Sequence, residues 1–218
     1  MKIACVAYRQ WAKEIYLEIQ KIYHKNHKFL LITANFNEID KKIKEFKPDL
    51  ILWYGWSDLI DDKIISNYFS VMLHPSPLPK FRGGSPIQNQ IINGETESAV
   101  TLFKMNNKVD QGDIIYQRKF SLNGELDEIL SRITIIGIEL SLKMIKNFNH
   151  LEFKKQDDSK ASYYPRRKPE QSEITLEELK NSTSLQLYNK IRALQDPYPN
   201  AFIIDSQGKK LFLTRAKL

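Results

Sequence analysis

Along the first half of the chain two rhythms of apolar residues alternate. Short β-preferring runs at Lys2–Tyr8, Phe29–Thr33, Leu50–Tyr54 and Phe69–Leu73 predict four strands. Between them the apolar positions take helical spacing. Trp11, Ile15, Leu17, Ile19 and Ile22 mark a helix over 11–24. Ile39, Ile43 and Phe46 share one face of a second helix with Asn37 as its candidate cap, and Asp61–Asn67 fits a short third. Strands alternating with helices of this length predict a parallel sheet covered on both faces. Further on, Val100–Met105 and Asp113–Phe120 read as strands around a tight loop, and Leu126–Ile145 as a long helix.

The polar stretch His150–Ser162 marks a boundary, giving a main domain over 1–160 and a small appendage over 161–218. The appendage carries a helix near 184–194 and a terminal hairpin, Ala201–Ile204 with Leu211–Thr214. The fold class expected is α/β: a Rossmann-like, mostly parallel sheet with helices on both faces, plus a small C-terminal α+β appendage with a β-hairpin.

Residues 75–86 break both rhythms. They hold four of the nine prolines and two of the eight glycines, so this is a shaped loop, and Pro86 is placed to open a helix running through Ile92. His74 stands just before it, at the carboxyl end of the fourth strand, where ligands bind in open α/β sheets. Val109-Asp110-Gln111-Gly112-Asp113-Ile114 is a second candidate, with Asp110 entering a turn and Gly112 supplying a permissive backbone.

Other chemistries lack their residues. Tyr8-Arg9-Gln10-Trp11 follows the first strand in place of a Gly-x-Gly-x-x-Gly, and there is neither a phosphate-binding Gly-Lys-Ser/Thr loop nor a His-Glu-x-x-His. One cysteine, Cys5, and four scattered histidines give a metal site no support. The 218-residue chain shows no apolar run long enough to span a bilayer and no signal-peptide pattern, so a cytoplasmic protein is expected. The net charge of +7 favours anionic partners, but the lysines are scattered as on solvated helix faces, so nucleic acid is not favoured.

His74-Pro-Ser-Pro-Leu-Pro-Lys-Phe-Arg-Gly83, with the Asp110 segment downstream, resembles the formyltetrahydrofolate-dependent formyltransferases. Trp53-Tyr-Gly-Trp-Ser57, Arg82-Gly-Gly-Ser-Pro-Ile-Gln-Asn-Gln90, Tyr163-Tyr-Pro-Arg-Arg-Lys-Pro169 and Asp196-Pro-Tyr-Pro199 are similar to the branch that formylates nucleotide-linked amino sugars. That resemblance implies N10-formyltetrahydrofolate as co-substrate, an acceptor such as a dTDP-linked 4-amino-4,6-dideoxy sugar, and a place in surface-polysaccharide synthesis. It implies His74 and Asp110 as catalytic residues, and Met72 stands where the family has an asparagine. His74 would take the amine's proton or stabilise the developing oxyanion, with Asp110 orienting it. A thioether has no hydrogen to donate, so a backbone N–H of Gly83-Gly84, a water, or His74 alone would have to replace the amide.

For the acceptor the candidates are Arg9, Trp11, Trp56, Ser76, Arg82, Gly83, Gly84, Arg166, Arg167 and Lys168, with Arg9, Trp11 and the Arg166–Lys168 run as candidates for its diphosphate, a task that suits arginine. Met105, Lys108, Val109 and Gly112 are the candidates for folate. Trp53 and Tyr54 either flank a flat ring or belong to the core. A methionyl-tRNA formyltransferase is the first alternative, disfavoured because residues 163–218 are too few for the tRNA-binding barrel of that branch. Glycinamide ribonucleotide formyltransferase fits the loop and tail poorly. A binding protein with catalysis impaired by Met72 is another alternative. The hairpin also offers an edge for a homodimer by strand addition.

Overall fold

The computed structural model describes residues 1–33 and 36–218. The side chain of Asn37, expected as a helix cap, lies outside the described residues. The alternating half is built as the pattern predicts: β1 (Lys2–Val6), α1 (Gln10–Tyr23), β2 (Lys28–Ile32), α2 (Phe36–Phe46), β3 (Leu50–Tyr54), α3 (Asp62–Asn67) and β4 (Ser70–His74). Next come β5 (Arg82–Gly83), α4 (Pro86–Ile92), β6 (Glu97–Lys104), β7 (Ile114–Ser121) and α5 (Leu126–Lys146).

One six-stranded sheet, in the order β2-β1-β3-β4-β6-β7, carries the structure. The first four strands pair in parallel, whereas β6 runs antiparallel to β4 and β7 antiparallel to β6. This is an α/β, Rossmann-like arrangement with an antiparallel edge. Alternation along the parallel strands sends Ile3, Cys5, Leu52, Tyr54 and Leu73 to one face, against α1 and α5. Ala4, Val6, Ile51 and Trp53 go to the other face, against Ile39 and Ile43 of α2 and Ile64 of α3. Trp53 and Tyr54 are core residues, 1% and 0% exposed. The Tyr54 hydroxyl meets Ser141 Oγ of α5 at 2.7 Å.

The chain after α5 holds β8 (Tyr163–Tyr164), α6 (Leu176–Asn181), α7 (Ser184–Ala193) and a hairpin of β9 (Ala201–Ile204) and β10 (Lys210–Leu213). Thr183 and Gln186 cap α7 reciprocally, each side chain meeting the other's backbone N–H. A small core of Ile174, Ile191, Leu194 and Ala201 holds these elements together. They are also docked on the sheet domain. β8 pairs in parallel with β5, and buried Arg192 donates to the carbonyls of Leu122 at 2.7 Å and Gly124 at 3.0 Å.

Candidate active site

The carboxyl ends of β1, β3 and β4 open onto a cavity of about 740 Å³. Its wall includes Met72 and His74 from β4, Gly83 and Gly84 from the proline-rich loop, and Met105, Lys108, Val109 and Asp110 from the β6–β7 connection. Arg9, Trp11 and Trp56 enter from the ends of β1 and β3, and Arg166, Arg167 and Lys168 from the segment after β8. The structure therefore gathers residues read from five separate stretches of sequence.

His74 is the last residue of β4 and is 5% exposed. Its Nε2 lies 2.8 Å from the carbonyl oxygen of Phe81, and a carbonyl can only accept, so Nε2 carries a hydrogen. That leaves Nδ1 to face Asp110, whose Oδ2 stands 3.7 Å away. The same Oδ2 accepts a hydrogen bond from Gly83 N at 2.8 Å. Two left-handed residues produce this geometry: Phe81, with φ 59°, turns its carbonyl to His74, and Asp110 itself has φ 52°. Non-glycine residues reach that region only where surrounding contacts hold them. Phe81 is held by Ser162 Oγ, which accepts from its N–H at 2.9 Å, and by Tyr164, whose ring stacks on the Phe81 ring at 4.9 Å between centroids.

Asp110 is fixed from behind by Gln156. The Gln156 amide donates to the carbonyls of Asp110 at 2.9 Å and Gly112 at 2.7 Å, while its Oε1 accepts from Arg82 Nε at 3.1 Å and from a terminal Arg82 nitrogen at 2.8 Å. Arg82 also pairs with Asp158 at 2.7 Å. These contacts correct three expectations. Arg82 does not face the cavity: it is 5% exposed and spends its donors on Gln156 and Asp158. Ser76 is fully buried, its hydroxyl donating to the Lys80 carbonyl at 2.9 Å. Gly112 is packed so tightly under the backbone that a Cβ there would fall 1.7 Å from Lys104 O.

Met72 lines the cavity on the same strand face as His74, as the two-residue alternation requires. The backbone donors expected to compensate for it are engaged elsewhere: Gly83 N by Asp110 and Gly84 N by the Tyr164 carbonyl at 2.8 Å. Trp56 lies half-buried at the wall, edge-on to Tyr8 and Trp53, with its Nε1 unpartnered. Arg166 reaches Asp58 at 3.4 Å, and Arg167 donates to the Gln171 carbonyl at 2.6 Å with its Nε unpartnered. Sequence reading missed Gln88, Tyr198 and Asn106, all in the cavity wall. For Tyr198 a signal was present in the Asp196-Pro-Tyr-Pro199 segment, to which no role was attached. Among the described residues there is no group of three or more His, Cys, Asp or Glu side chains able to hold a metal ion, and no helix long and apolar enough to cross a membrane.

A buried His–Asp pair at the end of a parallel strand, facing a deep cavity through a proline-shaped loop, is equipment for proton transfer in a group-transfer reaction. The family model described as "Formyl transferase" matches residues 9–130, and the chain belongs to that family. It is similar to the methionyl-tRNA formyltransferase of Ehrlichia ruminantium (strain Welgevonden), 31% identical over 183 residues, covering 82% of this chain and 57% of that protein. The chain thus spans little more than half the length of that curated relative. Among solved structures, the methionyl-tRNA formyltransferase from Clostridium thermocellum superposes with a TM-score of 0.89 at 31% identity, covering 100% of this chain and 93% of that one. A 4-N formyltransferase from Francisella tularensis shares the fold at TM-score 0.80 and 23% identity, covering 100% of this chain and 98% of that one. So does HypX from Aquifex aeolicus in complex with tetrahydrofolic acid, at TM-score 0.82 and 20% identity over 97% of this chain and 37% of that one.

Proposed function

We propose that this formyltransferase moves a formyl group from N10-formyltetrahydrofolate to the amine of a nucleotide-linked amino sugar. The observation that carries the reading is the single cavity that joins the His74–Asp110 pair to the cations Arg9, Arg166, Arg167 and Lys168. The walls suit a flat heterocycle: Met72, Phe103, Met105 and Val109 are apolar, and the exposed edge 106–109 leaves backbone groups accessible. Met105, Lys108 and Val109 would hold the folate, which when bound supplies the formyl group; Gly112, packed under β6, shapes the loop instead.

The chain's own part is proton handling and positioning. Because Nε2–H is held by Phe81, Nδ1 is the His74 nitrogen that accepts the proton an attacking amine must shed. Asp110, locked by Gly83 N–H and Gln156, stabilises the imidazolium so formed. Protonated Nδ1 then becomes the donor for the developing oxyanion and the departing nitrogen. With Met72 lacking a donor and both loop N–H groups engaged, this nitrogen carries that duty without the amide's help. The sugar's diphosphate is assigned to Arg9 and the Arg166–Lys168 run, where guanidinium groups offer paired donors. The pathway is surface-polysaccharide synthesis, with the elements after residue 160 serving acceptor binding and contact with a second copy.

Methionyl-tRNA is the second reading, and the observation favouring it is the 31% identity to proteins of that name. One experiment separates the two: tetrahydrofolate release from N10-formyltetrahydrofolate, followed spectrophotometrically with a panel of dTDP-linked amino sugars and with methionyl-tRNA. Turnover with one sugar, lowered at least about 10²-fold by His74→Ala, establishes the proposed acceptor. Turnover with methionyl-tRNA alone overturns it.

A further inference from the structure

The segment Asp196–Pro199 takes no part in the steps above, yet it sets Tyr198 into the cavity wall. The guanidinium of Arg9 lies 4.6 Å from the Tyr198 ring centroid and 4.9 Å from that of Tyr8. Among the described residues Arg9 makes no ion pair. Two more side chains of the wall, Trp11 at 6% and Gln88 at 3% exposure, present Nε1 and Nε2 without any hydrogen-bond partner. The Tyr198 hydroxyl stands beside both: burial pushes its phenol up, with Arg9 and the Trp11 and Gln88 donors opposing, so it keeps its hydrogen. An indole N–H, an amide NH₂, a phenol O–H and an unpaired guanidinium therefore stand around one part of the cavity.

Buried donors left without acceptors are costly, and such sets persist where a ligand supplies the acceptors. Four donors bearing one positive charge match an oxyanion. We propose that Arg9, Trp11, Gln88 and Tyr198 form an oxyanion subsite that takes a phosphate of the acceptor and so sets which amines reach His74. This rests on the acceptor reading given above and adds Gln88 and Tyr198 as specificity-determining residues. Two sources offer the same chemistry, the diphosphate of a nucleotide sugar and the glutamyl carboxylates of folate, and the test distinguishes them.

Calorimetric titration with dTDP and, separately, with 5-formyltetrahydrofolate is the measurement, on wild type, Tyr198→Phe, Gln88→Leu and Gln88→Glu. Tyr198→Phe and Gln88→Leu are expected to weaken dTDP five-fold or more, and Gln88→Glu, which sets a carboxylate against the phosphate, further still. Affinity for 5-formyltetrahydrofolate should stay within two-fold in all three, which also shows that each variant is folded. Loss of folate affinity with dTDP binding unchanged overturns the assignment to the acceptor, as does unchanged binding of both. Failure of dTDP to bind the wild type, beside turnover with methionyl-tRNA, overturns the subsite and leaves formyl transfer standing. Variant-sensitive dTDP binding without turnover on any acceptor upholds the subsite and overturns the reaction.

Discussion

At residue 72 strand β4 delivers a thioether to the cavity wall where the family resemblance implies an amide, two positions before His74. Since Gly83 and Gly84 spend their N–H groups on Asp110 and Tyr164, neither makes good the missing donor. Restoring it with Met72→Asn is expected to raise kcat by about ten-fold or more, at the lower edge of what one oxyanion donor contributes, with KM for folate little changed. Steady-state kinetics of the purified variant check this, and an unchanged or lower kcat contradicts it. Cys5 behaves oppositely, as a residue with no chemistry to offer. It sits in the middle of β1 with no exposed surface, and burial pushes its thiol far above the ordinary range. Iodoacetamide should leave it unlabelled in the native protein and label it fully in denaturant, read by intact mass. His74 and Asp110 were legible because a strand end and a turn fix where a side chain points. Ser76 and Arg82 were misread because a polar residue in a loop can turn inward as well as outward. Arg82 found Gln156, a partner 74 positions away, and one-dimensional spacing carries no trace of such a pairing.

Among elements, the strands and helices of the first half were readable because each buries one face and so repeats with its own period. The two-residue pair β5–β8 was not, since so short a strand has no period to show. It nevertheless decides the site's shape. At Gly84 an added Cβ would fall 2.3 Å from Arg166 Cα, so the basic segment can lie against the loop only when that position is bare. Gly84→Ala should push the two backbones apart, costing about 1–3 kcal/mol as an overpacking change and lowering acceptor kcat/KM more than folate binding; thermal melts and kinetics measure both. The polar stretch 150–162, read as a boundary, supplies the Gln156 clamp behind Asp110. Gln156→Ala, which removes four hydrogen bonds from that network, is expected to reduce kcat about ten-fold or more by letting Asp110 leave its left-handed conformation. A response confined to KM would exclude that role.

Over the whole molecule, the C-terminal elements and the sheet domain are joined by buried polar contacts as well as apolar ones. Arg192, 6% exposed, bonds Asn189 Oδ1 at 2.8 Å together with the carbonyls of Leu122 and Gly124. Burial lowers its pKa from the ordinary value, the neighbouring Tyr188 and Glu125 acting the other way. Arg192→Ala strands those carbonyls and should cost about 3 kcal/mol, a fall in Tm of roughly 2–4 °C per kcal/mol for a chain of this size, seen by calorimetry. Helix α7 and the hairpin were legible from the sequence, but their attachment was not, because it is made by carbonyls that every residue possesses.

The β5–β8 pair also separates the order of synthesis from the order of assembly. As the chain leaves the ribosome, every strand of the main sheet and the helix that covers it have been made once residue 146 is out. Phe81, which fixes the tautomer of His74, still waits for Ser162 and Tyr164 to arrive from 81 and 83 residues downstream. A nascent chain can thus hold its whole main sheet while His74 still lacks a defined proton position, which comes only after the last third of the protein begins to dock.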